Sequence, residues 1–285
     1  MSKYVHPKKA LGQHFLRDLS IAQDIVDALC GASIPEPYRF AEGERQRAEG
    51  ERRGDTLPLP VLEVGPGTGV LTQFLLKQPQ IDLRAIEIDR ESVNYLLTHY
   101  PELNGRLIEA DFLRINLHTL FDSPFLLIGN FPYNISSQIF FKVLEERDRI
   151  PVVVGMLQKE VAERIAAPPG SKTYGILSVL LQAWYGIELL FTVPAHLFSP
   201  PPKVQSAVVR LTRNACTALP CSESLFKQVV KITFNQRRKA IRNSIKQLTG
   251  ATALPEHPYL ALRPEQLGVT QFVELTNLVG GTILH

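Results

Sequence analysis

The sequence predicts an α/β fold, a mostly parallel sheet with helices on both faces, followed by a small all-helical domain. Three observations predict it. From residue 60 to about 167, short apolar runs alternate with segments of helical spacing, the sequence form of strand–helix–strand units. Two later runs, Gly186–Val193 and Gln205–Thr212, have no helix between them and are expected to pair antiparallel at the sheet edge. From about Ala215 onward the pattern is helical with no clear strand. The expected division is 1–213 for the α/β domain and 214–285 for the helical one.

Taken in order, residues 18–30 place Ile21, Ile25, Val26 and Leu29 at helical spacing, with Gly31 as a stop. Residues 35–58 hold six acids and five arginines and almost no apolar residues, so they are read as an exposed, mobile, charged insertion. The expected strands are Pro60–Val64, Leu83–Glu87, Arg106–Glu109, Phe125–Ile128 and Val152–Leu157. The expected helices lie at about 69–78, 90–98, 136–147 and 158–167.

The totals limit the function classes. The 285 residues are 45% hydrophobic and 21% charged, an ordinary globular composition, and the net charge of +3 alone predicts no partner. Cys30, Cys216 and Cys221 have neither CxxC spacing nor histidines at ligand spacing, which argues against a metal site and fits a reducing compartment. The first residues, MSKYVHPKK, lack an apolar signal core, and no run approaches the ~18 apolar residues of a membrane span. A cytoplasmic protein with no membrane partner is expected, a monomer by default.

Two stretches carry chemistry. VLEVGPGTGVLT, residues 61–72, follows the first strand and opens a helix, so Gly65, Gly67 and Gly69 form a loop that brings a ligand close to backbone N–H groups. Eighteen residues past Gly69, Glu87 ends the second strand, where an acid would hold ribose hydroxyls. Glu63, two residues before the first glycine, would repel a pyrophosphate. That points to a cationic ligand, and S-adenosylmethionine fits better than a dinucleotide. The loop resembles that of class I (Rossmann-like) methyltransferases, and in that comparison Asp111 falls near the adenine ring of the cofactor. A helix N-cap is the plain alternative for Asp111.

The second stretch, LIGNFPYNIS (residues 127–136), ends the fourth strand in an amide, a rigid imino ring and a phenol. An adenine amino group is a poor nucleophile because its lone pair is delocalised. The Asn130 side-chain oxygen and a backbone carbonyl held by Pro132 supply acceptors for its N–H groups, and Tyr133 offers a face for stacking. The plain alternative is a turn. In register with the glycine loop, methylation of an exocyclic amine is the stronger reading.

With those residues in place the chain resembles the KsgA-type ribosomal RNA adenine dimethyltransferases. The stretches that carry the resemblance include KKALGQHFL (8–16), EVGPG (63–67), IEID (86–89), NFPYNIS (130–136), FSPPPKVQSAVVRL (198–211) and FNQRRKAIRNS (234–244). The resemblance implies N6 dimethylation of two adjacent adenosines near the 3′ end of 16S rRNA. It further implies that His14, Leu16, Gly65, Glu87, Asp111 and Asn130 line the S-adenosylmethionine site. Asn130, Pro132 and Tyr133 would hold the target adenine, with Phe198 as a second aromatic wall; an apolar anchor is the equal alternative for Phe198. His14 stands where many members have Asn, a harmless change if the contact is through backbone. The insertion has no counterpart.

The segment Lys231–Lys246 carries six basic residues and no acid. From charge alone a solvated helix face is the plainer reading; with the resemblance, which implies an RNA substrate, Arg237, Arg238, Lys239, Arg242 and Lys246 are assigned to RNA binding, with Arg238 and Arg242 on one helix face and Ile241 and Ile245 turned to the core. Lys8 and Lys9 are weaker candidates. The expected partner is small-subunit rRNA in an assembling 30S particle. The alternatives are a large-subunit dimethyltransferase of the antibiotic-resistance type, a DNA adenine methyltransferase, and an assembly factor in which catalysis is secondary.

Overall fold

A computed structural model describes residues 5–38, 58–249 and 255–283. Most of the charged insertion, residues 39–57, lies outside the described residues. The chain divides into two compact units. One comprises residues up to Ala162 with Glu188–Arg213; the other comprises Glu163–Ile187 with residues from Asn214 onward. One of the cuts falls after Arg213. Residues 163–187, expected in the α/β domain, group with the helical unit instead. Local spacing marks a helix there but says nothing about which core it joins.

The first unit opens with a 3₁₀ turn at Lys9–Leu11 and a two-residue strand β1, Phe15–Leu16. Helix α1, Leu19–Cys30, starts where the Asp18 carboxylate accepts from the N–H groups of Ser20 and Ile21. Its buried stripe is Ala22, Ile25, Val26 and Leu29, the i, i+3, i+4, i+7 face. Then follow β2 (Leu59–Val64), α2 (Thr72–Leu75), β3 (Ile81–Glu87), α3 (Arg90–His99), β4 (Leu107–Glu109), β5 (Leu126–Asn130), α4 (Ser136–Glu145), β6 (Val152–Gln158) and α5 (Lys159–Ala166). Helix α6 (Ile176–Gln182), a part of the second unit, precedes β7 (Tyr185–Val193), β8 (Phe198–Ser199) and β9 (Ser206–Arg213).

Seven strands form one sheet in the order β4-β3-β2-β5-β6-β9-β7. The pairs β3–β4, β2–β3, β2–β5 and β5–β6 are parallel, and β9 runs antiparallel to β6. Strands β2 and β6 are buried at nearly every position, as both faces of a helix-covered sheet require. Chain order reverses between β2 and β5, so their carboxyl ends form the crevice where such sheets bind ligands. A second, two-stranded sheet pairs β1 with β8 antiparallel, setting Leu16 opposite Phe198.

In the second unit, α7 (Glu223–Asn235), α8 (Ile241–Thr249) and α9 (Val269–Ile283) pack together, with α6 against α7. Val229 and Val230 on α7, Ile241 and Ile245 on α8, and Phe272 and Leu275 on α9 are fully buried. The core-facing pair expected at Ile241 and Ile245 is present. Arg237, Arg238 and Lys239 lie in the turn between α7 and α8, not on one helix with Arg242 as the spacing suggested.

Candidate active site

A cavity opens at the switch point, walled by the ends of β2, β3 and β5 and by the segment Leu11–Phe15. The glycine loop forms its floor. Gly67 has φ +59°, and a Cβ there would lie 2.9 Å from the Phe15 ring, so only glycine permits both the backbone turn and the close approach. Its N–H donates to Glu87 Oε2 at 2.9 Å, while Glu87 Oε1 accepts from Asp89 N–H at 2.9 Å. Each carboxylate oxygen keeps a lone pair for a ligand hydroxyl. Burial pushes the Glu87 carboxyl above its usual range, opposed by these N–H donors.

Asp111 lines the cavity and also caps its turn, accepting from Leu113 N–H at 2.9 Å. The cofactor and capping readings of this residue are compatible. Asn130 Nδ2 donates to the His14 carbonyl at 3.0 Å, which fixes the amide and leaves Oδ1 as its acceptor end. The contact to His14 is thus through backbone. The His14 ring is held separately: its Nδ1 lies 2.8 Å from the Pro200 carbonyl, which can only accept, so Nδ1 carries the proton. That ring packs on Tyr133 with centroids 5.1 Å apart. The Tyr133 hydroxyl meets Ser206 Oγ at 2.5 Å, and burial raises its pKa.

The segment Lys8–His14 is a strap across this cavity. Lys8 Nζ pairs with the Asp89 carboxylate and with Glu91 at 3.5 Å, and its N–H donates to Gln13 Oε1 at 2.8 Å. Lys8 therefore anchors the strap to the start of α3, where sequence made it a weak RNA candidate.

Three assignments are corrected. Leu16 is 3% exposed and belongs to the hydrophobic core; its neighbour Phe15 lines the cavity, because adjacent strand residues point to opposite sides. Phe198, 2% exposed, is also a core residue, so of its two readings the structure favours the anchor. Glu63 is 1% exposed, lies outside the cavity wall and takes a hydrogen bond from Thr72 Oγ1 at 2.7 Å. Burial pushes its pKa up to about 8, so at neutral pH it is a protonated acid beneath the loop, not a counter-charge for the cofactor.

Gly65, Pro132, Tyr133 and the other lining assignments come together at the cavity. Sequence reasoning missed Phe15, Ile88, which is 51% exposed at the cavity edge, and Ser206. The Ser206 signal was present in the QSAVVRL stretch, but no spacing rule connects it to Tyr133.

Glu63 gives a pH test. Between the unfolded value of 4.5 and the folded value of about 8, only the unfolded chain releases this proton, so rising pH erodes stability. The slope is at most about 1.4 kcal/mol per pH unit and ends above the folded pKa. Glu63→Gln removes the effect, so its advantage over the parent in urea unfolding should grow from about pH 5 to pH 8. A difference independent of pH would mean that Glu63 is ionised in the folded protein.

The cavity's chemistry meets its sequence relatives here. Residues 5–258 match the family model described as ribosomal RNA adenine dimethylase. The chain belongs to that family. It is a methyltransferase, and its cofactor is S-adenosylmethionine. Among curated members, the ribosomal RNA small subunit methyltransferase A of Bacteroides thetaiotaomicron is 58% identical over 280 residues, covering 97% of this chain and 95% of that one. The protein of the same name from Cytophaga hutchinsonii is 50% identical, covering 97% and 98%. A solved dimethyladenosine transferase from Plasmodium falciparum shares the fold at a TM-score of 0.68 and 22% identity, covering 92% of this chain and 96% of that one. The 23S rRNA methyltransferase ErmE does so at 0.60 and 24%, covering 93% and 99%.

The dimethylase cavity fits the cofactor. Glu87 presents acceptor lone pairs inward, the turn at Gly67 leaves no side chain on the floor, and Asp111 and the half-exposed Ile88 border the region expected for adenine. Among the described residues no group of three His, Cys, Asp or Glu gathers as a metal site, and no helix is long and apolar enough to cross a membrane.

Proposed function

We propose that this protein dimethylates N6 of two adjacent adenosines in the 3′-terminal hairpin loop of 16S rRNA, within an assembling small subunit in the cytoplasm. The observation that carries the reading is the near full-length identity, 58% over 280 residues, with a protein named as a small-subunit methyltransferase. The large-subunit alternative has only fold likeness behind it, at 24% identity.

When bound, S-adenosylmethionine supplies an electrophilic methyl group. The protein's part is to hold the amine. The target base leaves its stack, as enzymes acting on structured nucleic acid require, and lies on Tyr133, a contact worth ~1–3 kcal/mol. Asn130 Oδ1 accepts one N–H of the amine. The Pro132 carbonyl already accepts from Ile135 N–H and Ser136 Oγ–H, so the second acceptor falls to the Phe131 carbonyl. Both acceptors draw the nitrogen toward the tetrahedral form whose lone pair attacks. The lone pair so exposed would take the methyl carbon as the cofactor's sulfur departs, and the cationic amine, facing acceptors and no fixed base, would shed its proton to water. The second transfer starts with one N–H and so uses one acceptor.

The basic residues divide. Arg237 donates to the Ser171 carbonyl at 3.2 Å and lies 3.8 Å from Glu265, and Arg242 donates to the Leu260 carbonyl at 3.3 Å. Arg237, partly buried, braces the helical unit, whereas Arg242 is itself exposed and stays within reach of a phosphate. Arg238, Lys239 and Lys246 are exposed and are the better candidates for phosphate contacts. Replacing each of the three by Ala should weaken RNA binding and lower the salt slope by about 1 per residue without moving the melting temperature. Arg237→Ala should lower the melting temperature. Equal salt slopes in all the variants would remove the phosphate role.

The deciding experiment incubates the protein and labelled S-adenosylmethionine with small subunits lacking the modification, and with large subunits in parallel, followed by mass spectrometry of the RNA. N6,N6-dimethyladenosine at two adjacent small-subunit positions is expected. Label on the large subunit overturns the substrate, and no label with retained particle binding favours the assembly-factor reading.

A further inference from the structure

We propose that Gly129 and Gly155 form a slot for the Phe131 ring, and that Gly155 is thereby a positioning residue for methyl transfer. This deepens the proposed function and rests on it. Gly129 on β5 and Gly155 on β6 are direct partners in the parallel ladder, so their missing side chains leave a gap on one face of the sheet. Phe131, two residues past Gly129 and fully buried, folds its ring back into that gap. A Cβ on Gly155 would lie 2.3 Å from Phe131 Cε2, and a Cβ on Gly129 would lie 2.8 Å from Cε1 on the other edge and 2.6 Å from the Val64 carbonyl. Neither clash can be relieved by a flexible chain end, because the ring is rigid and is met edge-on by Phe140 at 5.9 Å. The Phe131 N–H is fixed as well, donating to the Met156 carbonyl at 2.9 Å.

The consequence reaches the chemistry through two peptide bonds. Asn130 and Pro132 flank Phe131, and the Phe131 carbonyl is the second acceptor for the amine. Gly155 does not line the cavity. A methyl group there displaces the ring and carries both acceptors with it. A displacement of reacting groups by about 1 Å costs on the order of 10²-fold in rate.

The test is a double-mutant cycle on the full chain, with small subunits and labelled S-adenosylmethionine. Gly155→Ala should lower kcat about 10²-fold while cofactor affinity, titrated calorimetrically, changes less than roughly threefold. In a Phe131→Ala background, already slow because the segment has lost its anchor, adding Gly155→Ala should cost nothing further, since the clashing partner is gone. An equal cost in both backgrounds, or an unchanged kcat for Gly155→Ala, overturns the slot. If Gly155→Ala does not fold, Phe131→Ala decides alone, and parental kcat in it overturns the proposal. Hydrogen exchange of residues 127–135 supplies a readout independent of substrate. It should quicken in Gly155→Ala, and unchanged exchange overturns the slot. A parent protein that fails to label small subunits counts against the substrate, and the exchange result then judges the slot by itself.

Discussion

Asn130→Ala should lower methyl transfer by about 10²–10³-fold, the usual cost of removing one directed polar group from a reacting centre. The side chain has two jobs at its two ends. On the proposed function Oδ1 accepts the amine N–H, and Nδ2 holds the His14 carbonyl of the strap at 3.0 Å. The loss should therefore divide unequally: most in kcat, and a weakening of cofactor binding by roughly the 0.5–1.5 kcal/mol of one hydrogen bond. Asn130→Asp separates the jobs, since a carboxylate accepts but cannot donate to His14. Binding to pre-ribosomal particles should survive in Asn130→Ala, because the exposed basic residues remain. Loss of particle binding in step with loss of transfer would show that the amide serves RNA docking and not the amine alone.

Glu87→Ala should weaken S-adenosylmethionine binding by on the order of 10²-fold, about 3 kcal/mol. Two backbone N–H groups, of Gly67 and Asp89, lose their acceptor in a buried place, at about 1–3 kcal/mol each. The floor of the cavity should loosen, and the ribose contact proposed for Glu87 should go with it. Glu87→Gln keeps one acceptor and should fall between. Burial raises the Glu87 carboxyl, so as pH drops the parent should lose affinity earlier than an exposed glutamate would allow, whereas the Gln variant stays flat. Calorimetric titration with the cofactor at several pH values checks this. A parent as flat as the Gln variant would mean that the carboxylate stays ionised throughout.

What the sequence made legible follows from what side-chain pattern encodes. Strands β5 and β6 were visible because each is a nearly continuous apolar run, whereas β3 carries Asp82 and Arg84 and was expected only from Leu83. The glycine loop, Glu87, Asn130 and Tyr133 were legible because their residue types are chemically specific at strand ends. What stayed hidden depends on direction. A strand buried on both faces shows no alternation, so nothing in LPVLEV tells that Glu63 points under the loop and not into the cavity. In β1 a one-residue difference of face separates Phe15 from Leu16. Arg237 and Arg242 read as free charges because their acceptors, the carbonyls of Ser171 and Leu260, are backbone groups that no sequence pattern marks.

The strap has a bearing on how the protein is made. Its His14 ring is fastened to the Pro200 carbonyl, 186 positions further along, and its His14 carbonyl to Asn130, 116 positions further along. These are among the most distant contacts that the chain must close, and closures of that span come late in folding. During synthesis the first wall of the pocket leaves the ribosome early and then waits for the segment that fastens it. The growing chain can assemble its glycine loop long before Pro200 exists to fasten the His14 ring.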